Sequence, residues 1–227
     1  MSRTNIIWLF VVLLLAGCST QVAAQRGAVL ERMPARVVPD ARYVIYLHGR
    51  ILEEQPQQPV DDRFGPYAYD TILTTLANSG AQVIAERRPA GTDFRAYGRH
   101  VADEVRTLIN AGVAPEHITV IGFSKGGAIA MITSALLANQ RIGYVLLAPC
   151  GEWVVGRDDV DVRGRILSIY EASDELGTSC EPLFKQARAP GPHAEIRINT
   201  GLGHGAFFRP RHEWVRPTLD WIAAGKR

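Results

Sequence analysis

Hydrophobic residues in this chain follow two patterns, short unbroken runs and helically spaced positions. Tyr43–Leu47, Ile118–Ile121 and Tyr144–Leu147 are unbroken runs rich in β-branched and aliphatic residues. Because no charged residue alternates with them, both faces of these predicted strands should be buried, as in the centre of a parallel sheet. Three further strands are predicted at 82–85, 166–170 and 195–198.

Between these runs, apolar residues recur at the helical spacing i, i+4, i+7 and i+8, as in Val101, Val105, Leu108 and Ile109. Similar spacing predicts helices at 72–76, from Gly126 onward and at 214–222. Strands that alternate with helices predict an α/β fold with a mainly parallel central sheet and helices on both faces. No strand is predicted before Tyr43, and the Gln- and Pro-rich segment 50–66 is expected to be a loop.

Composition limits the domain count and the classes of partner. With 227 residues and 47% apolar content, the chain can bury one core, and we expect one domain over 41–227. Lys and Arg total 25 against 23 Asp and Glu, and they are scattered, so no nucleic-acid partner is expected. The histidines show no metal-ligand spacing and no dinucleotide fingerprint is present, so neither a metal nor a cofactor is expected.

The N-terminal segment reads as an export signal. Arg3 precedes an apolar run of about eleven residues, Ile6–Ala16, which is too short to span a bilayer but suits a secretory signal peptide. The run ends in Leu-Ala-Gly-Cys18, which resembles the lipobox of bacterial lipoprotein precursors.

That resemblance implies a signal peptide over 1–17, a lipid on Cys18 that anchors the protein to a membrane, and a tether over 18–40. Ser19 beside the cysteine implies the outer membrane, with the domain facing the periplasm. The alternative is an ordinary signal peptide cut after Val22-Ala23-Ala24, which would leave a soluble periplasmic or secreted protein.

Export also bears on the two remaining cysteines, Cys150 and Cys180. An even pair in an oxidising compartment favours a disulfide, and adjacent parallel strands would bring both post-strand loops to one sheet edge. The alternative is two buried free thiols.

One motif carries chemistry directly. Gly122-Phe-Ser124-Lys-Gly126 fits the pattern G-x-S-x-G and falls between a predicted strand and a predicted helix. In that context the glycines permit a sharp turn that presents the serine hydroxyl at the carboxyl edge of the sheet. Ser124 is therefore the candidate nucleophile, and the backbone N–H of Lys125 is a candidate oxyanion donor.

A serine nucleophile needs a base, and the base needs an orienting acid. In this kind of site the chain order is Ser, then Asp or Glu, then His. Asp174 follows the predicted strand at 166–170 and His204 follows that at 195–198, so both should lie at the edge where Ser124 is presented. Glu171 and Glu175 remain alternative acids.

The His-Gly turn at 48–49, the GFSKGG elbow, the Ser-Asp-His order and the GLGHG loop together resemble the α/β-hydrolase superfamily, over about residues 42–223. The resemblance implies that the backbone N–H of Arg50 is the second oxyanion donor and that His48 braces the turn. It also implies that the N-terminal antiparallel strands are missing or reduced and that no large cap is present.

The leading functional hypothesis is hydrolysis of a small-molecule carboxylic ester, or a thioester, through an acyl-enzyme. The same triad would serve a peptidase or amidase, because it recognises a carbonyl rather than a leaving group. A third hypothesis is a lipid-anchored binding module that has kept the fold without turnover. Arg50, Arg87, Arg88 and Lys125 are expected around the pocket mouth, with the arginines as solvated rim residues. The alternative is that these cations bind an anionic or polar acyl substrate.

Overall fold

The computed structural model describes residues 27–225, so the predicted signal peptide and Cys18 lie outside the described residues. The strands are β1 (Ala28–Leu30), β2 (Tyr43–Leu47), β3 (Val60–Asp61), β4 (Gly65–Pro66), β5 (Gln82–Ile84), β6 (Ile118–Phe123), β7 (Gly143–Leu147), β8 (Arg165–Glu171) and β9 (His193–Ile198). The helices are α1 (Arg50–Glu54), α2 (Tyr69–Ala77), α3 (Phe94–Asn110), α4 (Lys125–Leu137), α5 (Glu181–Gln186) and α6 (His212–Ala224). Over the described range, no helix is both long and apolar enough to cross a membrane.

The main sheet has seven strands in the order β1-β5-β2-β6-β7-β8-β9, and every neighbouring pair is parallel. Every residue of β2, β6 and β7 is buried, which explains their unbroken apolar runs. The predicted α/β fold with a mainly parallel sheet is confirmed, and it is an α/β-hydrolase fold.

Helices cover both faces of the sheet, and alternate residues of a strand face different cores. In β2, Tyr43 and Ile45 join the core that contains residues of α3 and α4, whereas Val44 joins the core that contains residues of α2 and α6. This two-sided packing holds the carboxyl ends of β6, β8 and β9 in fixed relation to one another.

Two sequence predictions are wrong. A strand does precede Tyr43: β1 pairs in parallel with β5, so the sheet reaches into the segment 18–40 that the sequence assigned to a tether. Because β1 is only three residues long, it is too short to show a hydrophobic pattern. It depends on β5 for its hydrogen bonds. The segment 50–66 is not a plain loop, since it contains α1 and the antiparallel β3–β4 pair. The short helix α5 was also not predicted.

Candidate active site

Ser124 lies at the turn between β6 and α4. Its backbone has φ 52° and ψ −118°, a conformation that residues with a side chain rarely adopt. The flanking glycines permit it: a Cβ on Gly122 would lie 2.2 Å from the Gly126 carbonyl oxygen, and one on Gly126 would lie 1.9 Å from the Leu47 oxygen. The strained turn presents the serine at the carboxyl edge of the sheet, where the sequence pattern predicted it.

His204 and Asp174 meet at the same edge. Asp174 lies in the loop after β8, and His204 lies in a 3₁₀ turn, Gly203–Phe207, that follows β9. His204 Nδ1 donates a hydrogen bond to Asp174 Oδ2 at 2.7 Å, and both residues are buried. Since Nδ1 carries the proton of that bond, Nε2 of a neutral His204 is left as an acceptor.

Ser124 and His204 line one cavity of about 370 Å³. Within residues 27–225, no hydrogen bond joins the Ser124 hydroxyl to His204. The two residues line the same cavity but are not hydrogen-bonded to each other. Such bonds are often long without substrate and tighten in the Michaelis complex. The Phe123 ring packs on the imidazole, with ring centroids 4.8 Å apart, and fixes one face of the base.

Glu171, the alternative acid, has a different set of contacts. Its Oε1 accepts from the backbone N–H groups of Thr200 at 2.7 Å and Gly201 at 3.0 Å. Its Oε2 accepts from the backbone and hydroxyl of Ser173, both at 2.6 Å. Burial alone would raise the pKa of Glu171, but these hydrogen bonds outweigh it and lower the pKa to about 2. Glu171 therefore joins the loop of the acid to the loop of the base.

His48 braces the turn after β2. Its ring is fully buried, and Nε2 accepts a hydrogen bond from the Arg88 backbone N–H at 2.9 Å. Nδ1 must then carry the proton, and it donates to the Gly49 carbonyl at 2.9 Å. Burial, together with the Arg88 charge, lowers the pKa of His48 to about 3, so the ring is neutral near pH 7. These contacts fit the structural role that the resemblance implied for His48.

The two backbone N–H groups expected to hold an oxyanion are both at helix starts. Arg50 opens α1 and Lys125 opens α4, and the first N–H groups of a helix have no intrahelical partner. Neither takes part in another backbone hydrogen bond among the described residues. Arg50, Ser124 and Lys125 line a second cavity of about 310 Å³. These three residues therefore border common space.

A buried ion cluster lies behind these donors, and sequence reasoning missed it. Glu53 of α1 is 1% exposed; its Oε1 accepts from Arg88 Nε at 2.9 Å and its Oε2 from Lys125 Nζ at 2.5 Å. A second Arg88 nitrogen donates to the His48 carbonyl. The expectation that Arg88 is a solvated rim residue is therefore wrong, because Glu53, 35 residues away, pairs with it inside the protein. Lys125 pairs with the same carboxylate. The cluster joins the first turns of α1 and α4.

The predicted disulfide is present. Cys150 and Cys180 are bonded, with their Cα atoms 5.3 Å apart, and both are fully buried. The Thr178 N–H also donates to the Cys150 carbonyl at 2.8 Å. The segment that follows Asp174 is thus fixed to the loop after β7.

A set of potential metal ligands lies apart from the nucleophile. Glu86, His100 and Glu104 each offer one ligand atom, and these atoms lie within 4.8 Å of one another. The expectation of no metal rested on spacing among histidines, and this cluster contains only one.

Comparisons with known proteins agree on the fold. Plant SOBER1 from Arabidopsis thaliana superposes with a TM-score of 0.55 at 17% identity, covering 82% of this chain and all of that chain. An arylesterase gives 0.55 at 16% identity over 86% of this chain and 78% of its own. A hyperthermophilic esterase from the archaeon Pyrobaculum calidifontis gives 0.51 at 20% identity, covering 87% and 77%. No protein-family model matches the sequence, and no curated protein matches it.

Proposed function

We propose that this protein is a serine hydrolase that cleaves carboxylic esters through an acyl-enzyme, with Ser124 as nucleophile, His204 as base and Asp174 as orienting acid. The observation that carries the proposal is the convergence of a strained serine turn and a buried His–Asp pair on one cavity. The structural similarity to esterases is in keeping with it but supports only the fold.

Each residue has a defined task in this reaction. The Ser124 oxygen attacks the ester carbonyl while His204 Nε2 takes the hydroxyl proton, and Asp174 stabilises the imidazolium that forms. The negative charge on the carbonyl oxygen is held by the N–H groups of Arg50 and Lys125, each worth roughly 3 kcal/mol in the transition state. His204 then protonates the leaving alcohol, and water releases the acid by the reverse sequence.

The two cavities beside Ser124 support a separate place for each half of the substrate. The leaving group must lie between Ser124 and His204, so it occupies the cavity of about 370 Å³ that both residues line. The acyl group then occupies the cavity of about 310 Å³ on the Lys125 side, whose walls include Phe94, Pro149 and Trp153. An aromatic, largely apolar wall favours short or medium apolar acyl chains over charged ones.

The proposal is tested with p-nitrophenyl esters of increasing acyl length and with aminoacyl anilides. We expect ester turnover, with the best kcat/KM for an acyl chain of a few carbons, and a loss of at least a thousandfold in Ser124→Ala with an unchanged melting temperature. Faster cleavage of the anilides would favour a peptidase or amidase. No turnover of any substrate would favour a binding module.

We also propose that the protein is exported and lipidated at Cys18. The lipobox-like sequence supports lipidation, and a buried disulfide supports an oxidising compartment. By this proposal the domain is held at the periplasmic face of the outer membrane.

A further inference from the structure

Three side chains converge where β5 ends beside α3. His100 and Glu104 are one helical turn apart on α3, and Glu86 lies just after β5. His100 Nε2 lies 3.0 Å from Glu86 Oε2 and 3.9 Å from Glu104 Oε1. The Tyr97 hydroxyl also donates to Glu86 Oε2, at 3.0 Å.

The Glu104 carboxylate is buried but not fully hydrogen-bonded. Its side chain is only 6% exposed, and its Oε1, the atom that points toward His100, is buried without a hydrogen-bond partner. A buried carboxylate oxygen without a partner has a desolvation cost of a few kcal/mol. Among the described residues, the only ion-pair partner of this oxygen is His100, at 3.9 Å.

We propose that Glu86, His100 and Glu104 form a binding site for a divalent transition-metal ion, with Zn²⁺ as the best fit. Two carboxylate oxygens and one imidazole nitrogen make a three-ligand set of the kind that zinc accepts, with water as the fourth ligand. Ligand atoms of a tetrahedral zinc with bonds of 2.0–2.1 Å lie roughly 3.3 Å apart. The separations of His100 Nε2 from the two carboxylates, 3.0 and 3.9 Å, bracket that value, and all three ligand atoms lie within 4.8 Å of one another.

The ligand chemistry also excludes other common ions. Mg²⁺ and Ca²⁺ prefer sites made entirely of oxygen, whereas imidazole suits zinc and its neighbours. The site is open to solvent, because the His100 side chain is 47% exposed, so an ion and a water ligand have a path of entry.

Bound metal would join β5 to α3 close to the candidate active site without entering it. The Arg88 guanidinium lies over the Tyr97 ring, 5.5 Å from its centroid, and Tyr97 in turn contacts Glu86. The expected role is therefore structural support of the segment after β5 that carries Arg88.

The test is zinc binding to the full-length protein, measured by equilibrium dialysis and by thermal unfolding with and without zinc sulfate. Two variants remove ligands, His100→Ala and the isosteric Glu104→Gln, and His212→Ala is the matched control because it removes an exposed histidine from another helix. We expect the wild type and His212→Ala to bind one more zinc equivalent than either ligand variant. We also expect zinc to raise their melting temperatures, and EDTA to reverse that rise.

A wild type that binds no more zinc than His100→Ala and Glu104→Gln would overturn the proposal, and so would equal zinc-induced shifts in all four proteins. If one ligand variant does not fold, as judged by circular dichroism, the other decides the comparison. If neither folds, titration of the wild type with Co²⁺ decides: tetrahedral d–d absorption bands that zinc displaces and that His212→Ala retains support the site, and their absence refutes it.

Discussion

Breaking the Cys150–Cys180 bond should lower activity before it unfolds the protein. The bond fixes the segment after Asp174 to the loop after β7, and the sheet does not depend on it. When the bond is absent, the Asp174 loop gains freedom and orients His204 less well. Because small misplacements of catalytic groups are costly, we expect kcat to fall on the order of tenfold at 25 °C.

The cost in stability follows from the loop that the bond closes. The two cysteines are 30 residues apart, and the chain-entropy model gives roughly 3.6 kcal/mol for a loop of that length. For a chain of this size, each kcal/mol corresponds to about 2–4 °C in melting temperature. The reduced protein should therefore melt about 7–14 °C lower and remain folded at 25 °C.

The assay compares oxidised and reduced protein in a Cys18→Ala background, so that only these two thiols are counted. Both sulfurs are buried, so the reductant is added during refolding. Two free thiols in the unfolded, unreduced protein would refute the bond itself. Activity that falls only together with unfolding would refute the link to Asp174, and a melting shift below about 2 °C would refute the entropy argument.

Three further variants test other parts of the account. Glu53→Gln leaves the buried Arg88 and the partly buried Lys125 without their carboxylate and should cost about 3–5 kcal/mol in urea unfolding. Glu54→Gln, on the exposed side of the same helix, should cost almost nothing, and equal costs would contradict the buried cluster. Glu171→Gln should cost on the order of 2 kcal/mol at pH 7. Because hydrogen bonds hold the pKa of Glu171 at about 2, below its usual 4.5, the wild type should lose that advantage as pH falls from 4.5 toward 2, and a pH-independent gap in melting temperature would count against this. Cys18→Ala should remove an acyl mass from the N-terminal peptide and release the protein from membranes; a wild-type peptide with no acyl mass would favour the ordinary signal peptide.

Local sequence patterns were sufficient to predict the central strands of the fold. The runs that became β2, β6 and β7 are buried on both faces, so their pattern does not depend on distant partners. The elbow could also be recognised from its local sequence pattern, and Gly122 is required by a contact within the turn, whereas Gly126 is required by the Leu47 carbonyl at the end of β2. What the sequence predicted well is what short-range sterics and burial determine.

Some features that depend on distant pairing were missed. The strand β1 exists because β5 supplies its hydrogen bonds, and α1 has neither a side-chain cap nor a long apolar face. Glu53 and Arg88 meet only after the turns following β2 and β5 lie side by side. Only part of the proposed metal-ligand set is local in sequence. His100 and Glu104 are four residues apart on α3, but Glu86 comes close to them only through the packing of β5 against α3.

The central claim is that Ser124 is the nucleophile, and covalent labelling tests it most directly. A fluorophosphonate probe is added to native wild-type protein, and the labelled peptide is identified by mass spectrometry. We predict one adduct, on Ser124, that is lost in Ser124→Ala and strongly reduced in His204→Ala. Ser79→Ala, which removes a serine from an exposed turn, should label like the wild type. An adduct on another serine, or undiminished labelling of Ser124→Ala, would contradict it.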